Sequence, residues 1–552
     1  MNESYKVYTE SNERSVNLKH SFPSRRSAVM SKNGIVATSQ PLAAQAGVSI
    51  LLQGGNAIDA AIATAAALNV VEPMSTGLGG DAFALVYLSK SNELKALNAS
   101  GRAPYAASLE TFRNIGYQEM PEMGIHAVTI PGALDGWCSL LDKYGTMSLA
   151  QVLAPAIELA ENGFPVTEII GHSWKKSIAK LQSNASAART YLIDGRAPEL
   201  GEIFKQPDLA RTFKRIAMGG HDVFYKGEIA EAIAACSQEN GGLITMRDLN
   251  AHTSTWVTPI STNYRGYDVY ECPPNGQGLV ALLALNILEG YDLQSLRHNS
   301  PDYLHLLIEA MKLAFADADK YVADPDFVDI PLEGLLSKSY AEQRRRLIDT
   351  NKARQTVEAG IPDIEGDTVY LAVTDKEGNS VSFINSLYNG FGSGIVVEGT
   401  GICLQNRGSL FSLEAGHPNC IEPHKRPYHT IIPAMVFKDS NLFLTFGVMG
   451  GFMQPQGHVQ VLLNIVDFSM DVQTALDAPR FRYIQGSGCA FEPGIPSSVL
   501  QELTNRGHRV VELDDPYSQE FGGGQAIMVH PSAKTLIAGS DPRKDGCAIG
   551  VW

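Results

Sequence analysis

The sequence that decides the fold runs Asp367-Thr-Val-Tyr-Leu-Ala-Val-Thr-Asp-Lys-Glu-Gly-Asn-Ser-Val-Ser-Phe-Ile-Asn-Ser386. Residues 368–374 and 380–386 are rich in β-branched and apolar residues, and they flank a turn at Asp375-Lys-Glu-Gly-Asn379. This pattern predicts a β-hairpin. The preceding stretch, residues 347–366, is polar and predicts a linker. A flexible linker is therefore expected to meet a rigid strand at Thr368.

Helix signals dominate the chain before this hairpin, and strand signals become denser after it. Capping residues, prolines and glycines delimit predicted helices over residues 41–53, 57–71 and 148–162, and a further helix opens at Ser300-Pro301. Pro155 is expected to kink the third helix. The segments that read as short strands are Ile35 to Thr38, Ile431-Ile432 and Leu442 to Phe446. The mixture favours an α/β protein.

Composition places the chain among large globular proteins. It has 552 residues, of which 44% are hydrophobic and 19% are charged. Such a chain can bury a large core, either as two or three domains or as one layered α/β body. The net charge is −15, and no basic run stands out beyond residues 344–346. We therefore expect no nucleic-acid partner.

The sequence also bears on the compartment in which the protein works. The first ten residues lack the apolar segment of a secretory signal. No stretch approaches eighteen consecutive apolar residues, so no membrane-spanning helix is expected. The seven cysteines are scattered and form no C-x-x-C pair, which favours reduced thiols. We therefore expect a cytoplasmic protein without a membrane partner.

Thr368 is the first candidate for chemistry. A threonine hydroxyl is a weak nucleophile unless a base activates it, and a threonine that begins a chain can use its own α-amine as that base. Here this requires cleavage of the Asp367–Thr368 bond. The Thr368 hydroxyl would attack the preceding carbonyl, and water would hydrolyse the resulting ester. On spacing alone, an ordinary strand threonine is the simpler interpretation.

Two further signals concern the binding of negative charge. Gly450-Gly451 follows an apolar strand, and consecutive glycines let backbone N–H groups approach a ligand closely, as an oxyanion hole requires. A tight loop is the alternative. Arg102 can bind a carboxylate through its forked guanidinium, with an exposed surface charge as the alternative.

Two cofactor patterns are weak. His417, Cys420, His424 and His429 lie close in sequence, but prolines interrupt them and no C-x-x-C pair anchors a zinc site. Residues 77–82 match a dinucleotide-binding pattern, yet Glu72-Pro-Met-Ser-Thr stands where the preceding strand should be. We therefore expect neither a metal nor another cofactor.

A series of short segments carries a family resemblance. In chain order they are Gly54-Gly-Asn-Ala-Ile-Asp-Ala60, Pro131-Gly132, Ala323-Asp-Pro-Asp-Phe-Val328, Asp367-Thr368, Asp375-Lys-Glu-Gly-Asn-Ser-Val-Ser382, Phe391-Gly-Ser-Gly394, Lys425-Arg-Pro427, Gly450-Gly451 and Gly539-Ser-Asp-Pro-Arg543. Together they resemble the γ-glutamyltransferase (glutathione hydrolase) family of N-terminal-nucleophile enzymes, from about Gly34 onward. The segments around the hairpin look like the branch that contains oxamate amidohydrolase and cephalosporin-acylase-like members.

The resemblance implies a four-layer αββα fold of the α/β (α+β) class, built from two autoproteolytic fragments. The large fragment would span residues 34–367, after a polar arm at 1–33 and with the linker near its end, and the small fragment would span 368–552. Thr368 would be the nucleophile, Gly450-Gly451 the oxyanion loop and Ser386 the hydroxyl that bonds the nucleophile. The fragments would form a heterodimer, and whether two heterodimers associate stays open.

Several positions differ from the family pattern. Val369-Tyr370 stand where the family has a hydroxyl residue and a histidine, and His429-Thr430 stand where it has two serines. Residues 406–411 lack the acid that binds the glutamyl α-amine. The family's carboxylate-binding arginine lies two residues earlier, where this chain has Ser100. A shift of two along a strand keeps Arg102 on the same face.

These differences indicate the substrate. Without an acid, and with Arg407 nearby, the pocket suits an acyl group that has a carboxylate but no ammonium. We therefore expect a self-cleaving amidohydrolase that acts on a small carboxylate-bearing amide of the oxamate type. Arg102 is expected to bind the carboxylate, with Arg407 or His429 as the alternative. The candidate substrate-binding residues are Arg102, Tyr388, Asn406, Arg407, His429 and Thr430.

Three other functions stay open. The chain could be a true γ-glutamyltransferase or glutathione hydrolase whose ammonium partner comes from elsewhere. It could also be a cephalosporin-acylase-like amidase, or an unprocessed binding protein on the same fold. The acceptor of the acyl group, water or an amine, is not specified by the sequence.

Overall fold

Two seven-stranded antiparallel sheets form the centre of the computed structural model, which describes residues 26–355, 367–511 and 519–552. The strands are β1 (Val29–Ser31), β2 (Gly34–Thr38), β3 (Asp81–Leu88), β4 (Glu93–Ala99), β5 (Phe164–Pro165), β6 (Ile203–Phe204), β7 (Thr255–Val257), β8 (Ile260–Tyr264), β9 (Tyr267–Glu271), β10 (Asp367–Asp375), β11 (Ser380–Tyr388), β12 (Val396–Val397), β13 (Ile402–Cys403), β14 (Ala434–Lys438), β15 (Asn441–Val448), β16 (Phe481–Tyr483), β17 (Gly488–Phe491), β18 (Arg509–Val511), β19 (Gly524–Val529), β20 (Leu536–Ser540) and β21 (Cys547–Gly550). One sheet has the order β21-β2-β10-β11-β3-β4-β7, and the other has the order β1-β20-β19-β15-β14-β9-β8.

Helices cover the outer face of each sheet. They are α1 (Pro41–Leu52), α2 (Ala57–Val71), α3 (Leu109–Ile115), α4 (Ala133–Tyr144), α5 (Leu149–Asn162), α6 (Glu168–Lys176), α7 (Ile178–Gln182), α8 (Ala185–Tyr191), α9 (Pro207–Tyr225), α10 (Glu228–Glu239), α11 (Met246–Asn250), α12 (Gly278–Leu288), α13 (Pro301–Tyr321), α14 (Leu332–Leu335), α15 (Lys338–Arg345), α16 (Met453–Val466), α17 (Val472–Asp477) and α18 (Ser497–Asn505). Within the described ranges, no helix combines the length and apolar character needed to cross a bilayer.

Alternation of side chains along β10 shows the layering. Val369, Leu371 and Val373 belong to a core shared with α1, α2 and α5, whereas Tyr370 and Ala372 lie in the core between the two sheets. The outer face of the other sheet packs against α12, α13 and α16. The result is the four-layer αββα arrangement that the family resemblance implied.

The predicted hairpin is confirmed and lies in the middle of its sheet. β10 pairs with β11 on one side and with β2 on the other, and β11 in turn pairs with β3. The register between β10 and β11 shifts between Asp367 and Val369. A local irregularity of this kind re-aims side chains, and it falls at Thr368.

The predicted helices are also confirmed. α1 ends one residue earlier than expected, and α2 has the predicted bounds and is buried on all sides. Ser148 caps α5 through a capping box, and the helix continues past Pro155 to Asn162. Ser300 caps α13. The cap and proline signals therefore identified these helix starts correctly.

Two expectations need correction. Ile431-Ile432 was expected to be a strand, but β14 begins at Ala434 because the Ile432 N–H donates to Gln454 Oε1 instead of to a neighbouring strand. The polar arm is shorter than predicted, since Val29–Ser31 pairs with β20. Residues 1–25 of that arm and residues 356–366 of the predicted linker lie outside the described ranges.

Candidate active site

Thr368 and Ser386 are neighbours at one end of the hairpin. Both side chains are buried, and Thr368 Oγ1 lies 3.1 Å from Ser386 Oγ. Ser386 Oγ accepts hydrogen bonds from the Tyr388 N–H (2.8 Å) and from Arg407 Nη2 (3.1 Å). Either hydroxyl can be the donor in the contact between Thr368 Oγ1 and Ser386 Oγ. The two side-chain oxygens therefore lie within hydrogen-bond distance of each other.

Arg407 is a fully buried arginine beside this pair. It begins a short 3₁₀ turn, Arg407–Leu410, and its Nη1 donates to Thr430 Oγ1 at 2.6 Å. The guanidinium carbon lies 4.4 Å from the centre of the Tyr388 ring, within cation–π distance. Among the described residues, no carboxylate oxygen lies within 4.0 Å of the guanidinium, and Nε has no hydrogen-bond partner. Burial lowers the pKa of Arg407 to about 10, so it stays cationic at neutral pH.

Tyr388 is held in a strained conformation at the end of β11. Its φ is 81°, which a residue other than glycine rarely adopts. The ring is buried, and within the described part of the chain its hydroxyl has no hydrogen-bond partner. Burial raises the pKa of this hydroxyl well above its usual range, so it stays protonated as a potential donor.

Asp81 and His429 form a second buried pair next to Arg407. Asp81 Oδ1 accepts from the Gly101 N–H (2.8 Å) and Gln405 Nε2 (3.0 Å), and Oδ2 lies 2.9 Å from His429 Nε2. Burial, Arg407 and Arg426 lower the pKa of His429 well below its usual value. The imidazole is therefore neutral, and its Nε2–H donates to Asp81. Burial raises the pKa of Asp81 to about 6, against the opposing effect of Arg407.

Gly450 and Gly451 form the turn between β15 and α16. Their φ values are 112° and 57°, both in the region that favours glycine. Their carbonyls accept from the N–H groups of Met453 and Gln454 at the start of α16. In the described ranges, neither glycine N–H donates to a protein acceptor. Unused N–H groups at a helix start are suited to an oxyanion.

Gln277 connects this glycine turn to Thr430. Its Nε2 donates to the Thr430 carbonyl (2.5 Å) and to the Gly451 carbonyl (2.8 Å), and its Oε1 accepts from the Tyr428 hydroxyl. The glycine turn, Thr430 and Arg407 are therefore linked by direct contacts. Gln277 immediately precedes α12, and no sequence motif indicated a functional role for it.

Arg102 and Asn406 contact residues other than Thr368 and Ser386. Arg102 pairs with Asp326 at 3.1 Å and with Asp324 at 3.7 Å. The Asn406 side chain donates to the Glu122 carbonyl and accepts from the Asn389 N–H. Of the predicted substrate-binding residues, the structure thus groups Arg407, Thr430 and Tyr388 around Ser386, and His429 joins them through Asp81.

Asp81 was missed by sequence reasoning. It belongs to the Gly-rich segment 77–82, which was considered only as a weak nucleotide motif. The glycines there serve close packing, since a Cβ at Gly80 would lie 2.3 Å from the Ser386 carbonyl oxygen. The sequence signal for Asp81 was an acidic residue that directly follows these glycines at the start of an apolar strand.

The histidine and cysteine run considered for zinc does not converge. His429 contacts Asp81, whereas His424 stacks on Tyr105. In the described parts of the chain, the one group with potential ligand atoms close together is His305, Glu309 and His508. Lys312 donates to Glu309 at 2.7 Å, and His305 is hydrogen-bonded to His508 at 2.8 Å. These contacts already balance the carboxylate with an ammonium, which disfavours a divalent cation.

Comparison with known proteins decides the family. The family model described as Gamma-glutamyltranspeptidase matches residues 43–551. The chain belongs to the gamma-glutamyltranspeptidase family.

Members of the gamma-glutamyltranspeptidase family with differing names resemble this one along nearly their whole length. The chain is 41% identical to the "glutathione hydrolase-like YwrD proenzyme" of Bacillus subtilis, over 95% of this chain and 99% of the relative. It is 34% identical to the oxamate amidohydrolase proenzyme of Klebsiella pneumoniae, with the same coverage. A crystal structure of cephalosporin acylase from Bacillus halodurans superposes with a TM-score of 0.91 at 46% identity, covering 99% of this chain and 100% of that one. The chain is thus an enzyme of the self-processing N-terminal-nucleophile class that acts on amides.

Proposed function

We propose that the chain cleaves itself between Asp367 and Thr368, and that the new N-terminal threonine then hydrolyses an amide. The freed α-amine of Thr368 would take the proton of its own hydroxyl as the oxygen attacks the substrate carbonyl. The α-ammonium would give this proton to the leaving amine as the acyl group passes to Thr368. The free α-amine would then deprotonate a water molecule that attacks the ester, and the acid would leave as the proton returns to Thr368 Oγ1.

Ser386 and the glycine turn support this mechanism. The Ser386 hydroxyl, 3.1 Å from Thr368 Oγ1, would hold the attacking oxygen in place. The unused N–H groups of Gly450 and Gly451 would stabilise the negative charge that develops on the substrate oxygen. The two fragments would remain together as a heterodimer, because β10 of the small fragment pairs with β2 of the large one.

We further propose that the substrate carries a carboxylate close to the scissile amide, and that Arg407 binds it. The observation that carries this proposal is the contact of Arg407 with Ser386, which itself contacts Thr368. A carboxylate on Arg407 would therefore lie close to the carbon that Thr368 attacks. In oxamate these two carbons are directly bonded, whereas four bonds separate them in a γ-glutamyl amide.

The charge around the nucleophile supports the same choice. Arg407 is cationic and buried, and the nearby Asp81 carboxylate already has three donors. A substrate ammonium placed here would lack an anionic partner, which costs several kcal/mol in a buried site. A carboxylate would gain a charge-assisted contact instead. The similarity to an oxamate amidohydrolase agrees with this assignment.

A second candidate is an acylase that releases a dicarboxylic acyl group from a bulkier amine. The similarity to a cephalosporin acylase structure at 46% identity favours it. In that case the acyl carboxylate would lie farther from the scissile carbon. Arg102, with its partners Asp324 and Asp326, would be the candidate for binding it.

A substrate comparison on processed enzyme tests the proposal. Steady-state rates are measured with oxamate, a γ-glutamyl anilide and an acylated cephalosporin nucleus whose acyl group carries a carboxylate, with Thr368→Ala as the inactive control. We expect oxamate to have the highest kcat/KM. A clear preference for the γ-glutamyl anilide would overturn the assignment of Arg407, and a preference for the cephalosporin would favour the second candidate.

A further inference from the structure

Arg407 and Asp81 are opposite charges that are buried near each other without touching. Among charged side chains, Asp81 has the largest electrostatic effect on the pKa of Arg407, and Arg407 has the largest such effect on the pKa of Asp81. Nevertheless, within the described residues, the two side chains are not within the 4.0 Å of an ion pair. A direct pair would occupy the forked N–H groups of the arginine.

The structure explains why Asp81 does not reach Arg407. Three of its donors come from different parts of the chain: the Gly101 N–H follows β4, Gln405 Nε2 precedes the 3₁₀ turn, and His429 Nε2 precedes β14. Gly101 belongs to the large fragment and the other two belong to the small one. Together they contact both carboxylate oxygens, so that Asp81 is held by groups other than Arg407.

We propose that Asp81 is a positioning residue, a counter-ion that Gly101, Gln405 and His429 hold out of contact with Arg407, so that the arginine stays charged and open to a substrate carboxylate. This inference rests on the proposed function, since it takes Arg407 to be the carboxylate-binding group. It also gives His429 a role: the imidazole orients Asp81 and does not bind substrate directly.

The arrangement has a measurable consequence. Asp81 and a bound substrate carboxylate would both be attracted to Arg407 and would repel each other. An anion in the site should therefore raise the pKa of Asp81, and protonation of Asp81 should by the same linkage tighten anion binding. The pKa of Asp81 in the free site is about 6. Anion affinity should thus increase as the pH falls through this value.

Other groups near Asp81 do not titrate in that range. Arg407 and Arg426 stay cationic, because burial lowers the pKa of each only to about 10. His429 stays neutral, since its pKa lies well below its usual value, and burial keeps Tyr225 protonated. The α-amine of a processed Thr368 titrates at a higher pH, near 7.7–8.0 in model peptides.

The experiment measures the competitive inhibition constant of oxalate on processed enzyme between pH 8.5 and 5, with kcat and KM for oxamate alongside. For the wild type we expect a tightening centred near pH 6, separate from any change near pH 8. For Asp81→Asn we expect inhibition about fivefold tighter at pH 8, and no further tightening near pH 6. Asp317→Asn is the matched control and should behave as wild type, because it removes a carboxylate of α13 that contacts Tyr340 and Arg344 of α15.

The outcomes are distinguishable. If Asp81 were only a structural residue, Asp81→Asn would lower kcat and weaken oxalate binding together, which would overturn the inference. If Asp81→Asn fails to fold, the wild-type profile decides, and an inhibition constant that does not change near pH 6 would overturn it. If Arg407→Gln leaves oxalate inhibition unchanged, the proposed function itself fails. If Arg407→Gln abolishes inhibition while Asp81→Asn has no effect, only this inference fails.

Discussion

Replacing Arg407 by glutamine should strongly reduce the activity of the enzyme while leaving the stability of its fold nearly unchanged. The side chain is buried, and desolvation lowers its pKa from 12.5 to about 10. A cationic group with a lowered pKa is destabilised in its charged form. This desolvation lowers the free energy of unfolding by its full amount at any pH below about 10, and the effect disappears as the pH rises toward 12.5. This shift corresponds to about 3 kcal/mol at neutral pH.

Glutamine removes that penalty and also removes two hydrogen bonds. The bonds lost are those that the guanidinium donates to Thr430 and Ser386, and each hydrogen bond of a charged group contributes about 1.5 kcal/mol or more. The two effects roughly cancel. We therefore expect the melting temperature of Arg407→Gln to stay within about 4 °C of the wild-type value. The loss of a forked, charge-assisted contact to substrate should lower kcat/KM for oxamate at least about a hundredfold.

The assay is steady-state kinetics on processed enzyme, paired with thermal unfolding. Arg102→Ala is the matched control, since Arg102 pairs with Asp324 and Asp326 instead of the Ser386 hydroxyl. Its kcat/KM for oxamate should stay close to that of wild type. The reasoning would be refuted if Arg407→Gln kept wild-type kcat/KM, or if Arg102→Ala alone caused the large loss. A strong drop in melting temperature would instead show that Arg407 mainly stabilises the fold.

The nucleophile, its base and the glycine turn can each be tested by mutation or by a change of pH. Thr368→Ala should fold but stay uncut and inactive, whereas Thr368→Ser should cleave itself and turn over substrate more slowly. Gel electrophoresis shows the cleavage and steady-state kinetics show the activity. Full activity in the alanine variant would contradict the role of the hydroxyl. In processed enzyme, kcat/KM should rise with pH around the α-amine pKa, about 7.7–8.0 in model peptides, and a profile flat from pH 6 to 9 would exclude that amine as the base. Gly450→Ala should lower kcat at least about tenfold, because φ at this position is 112° and the new Cβ would lie 3.0 Å from Gly522 Cα. Gly54→Ala is the control and should leave kcat unchanged, because Gly54 has a similar φ of 94° but open space around it.

Local signals in the sequence predicted much of the fold. The hairpin around Asp375-Lys-Glu-Gly-Asn379 was predictable because strand and turn residues alternate over a short range. The caps at Ser148 and Ser300 likewise marked helix starts through contacts within one helical turn. The four layers came from the family resemblance, because the packing of distant strands leaves no local pattern.

The site was less predictable, since its contacts span long distances in sequence. Asp81 and His429 are 348 positions apart, and only the folded sheet brings them together. Arg102 has the residue type and neighbourhood of a carboxylate-binding arginine, but Asp324 and Asp326 pair with it. The sequence cannot reveal which of two arginines already has an acidic partner. Burial and pairing, which decide this, are properties of the tertiary structure.

The central claim is that Thr368 becomes the first residue of a new chain. Intact mass spectrometry of the purified active protein tests it most directly. The account predicts two fragments of 367 and 185 residues (552 − 367 = 185), the smaller of which begins with Thr368. A single species at 59.6 kDa that still turns over substrate would contradict it.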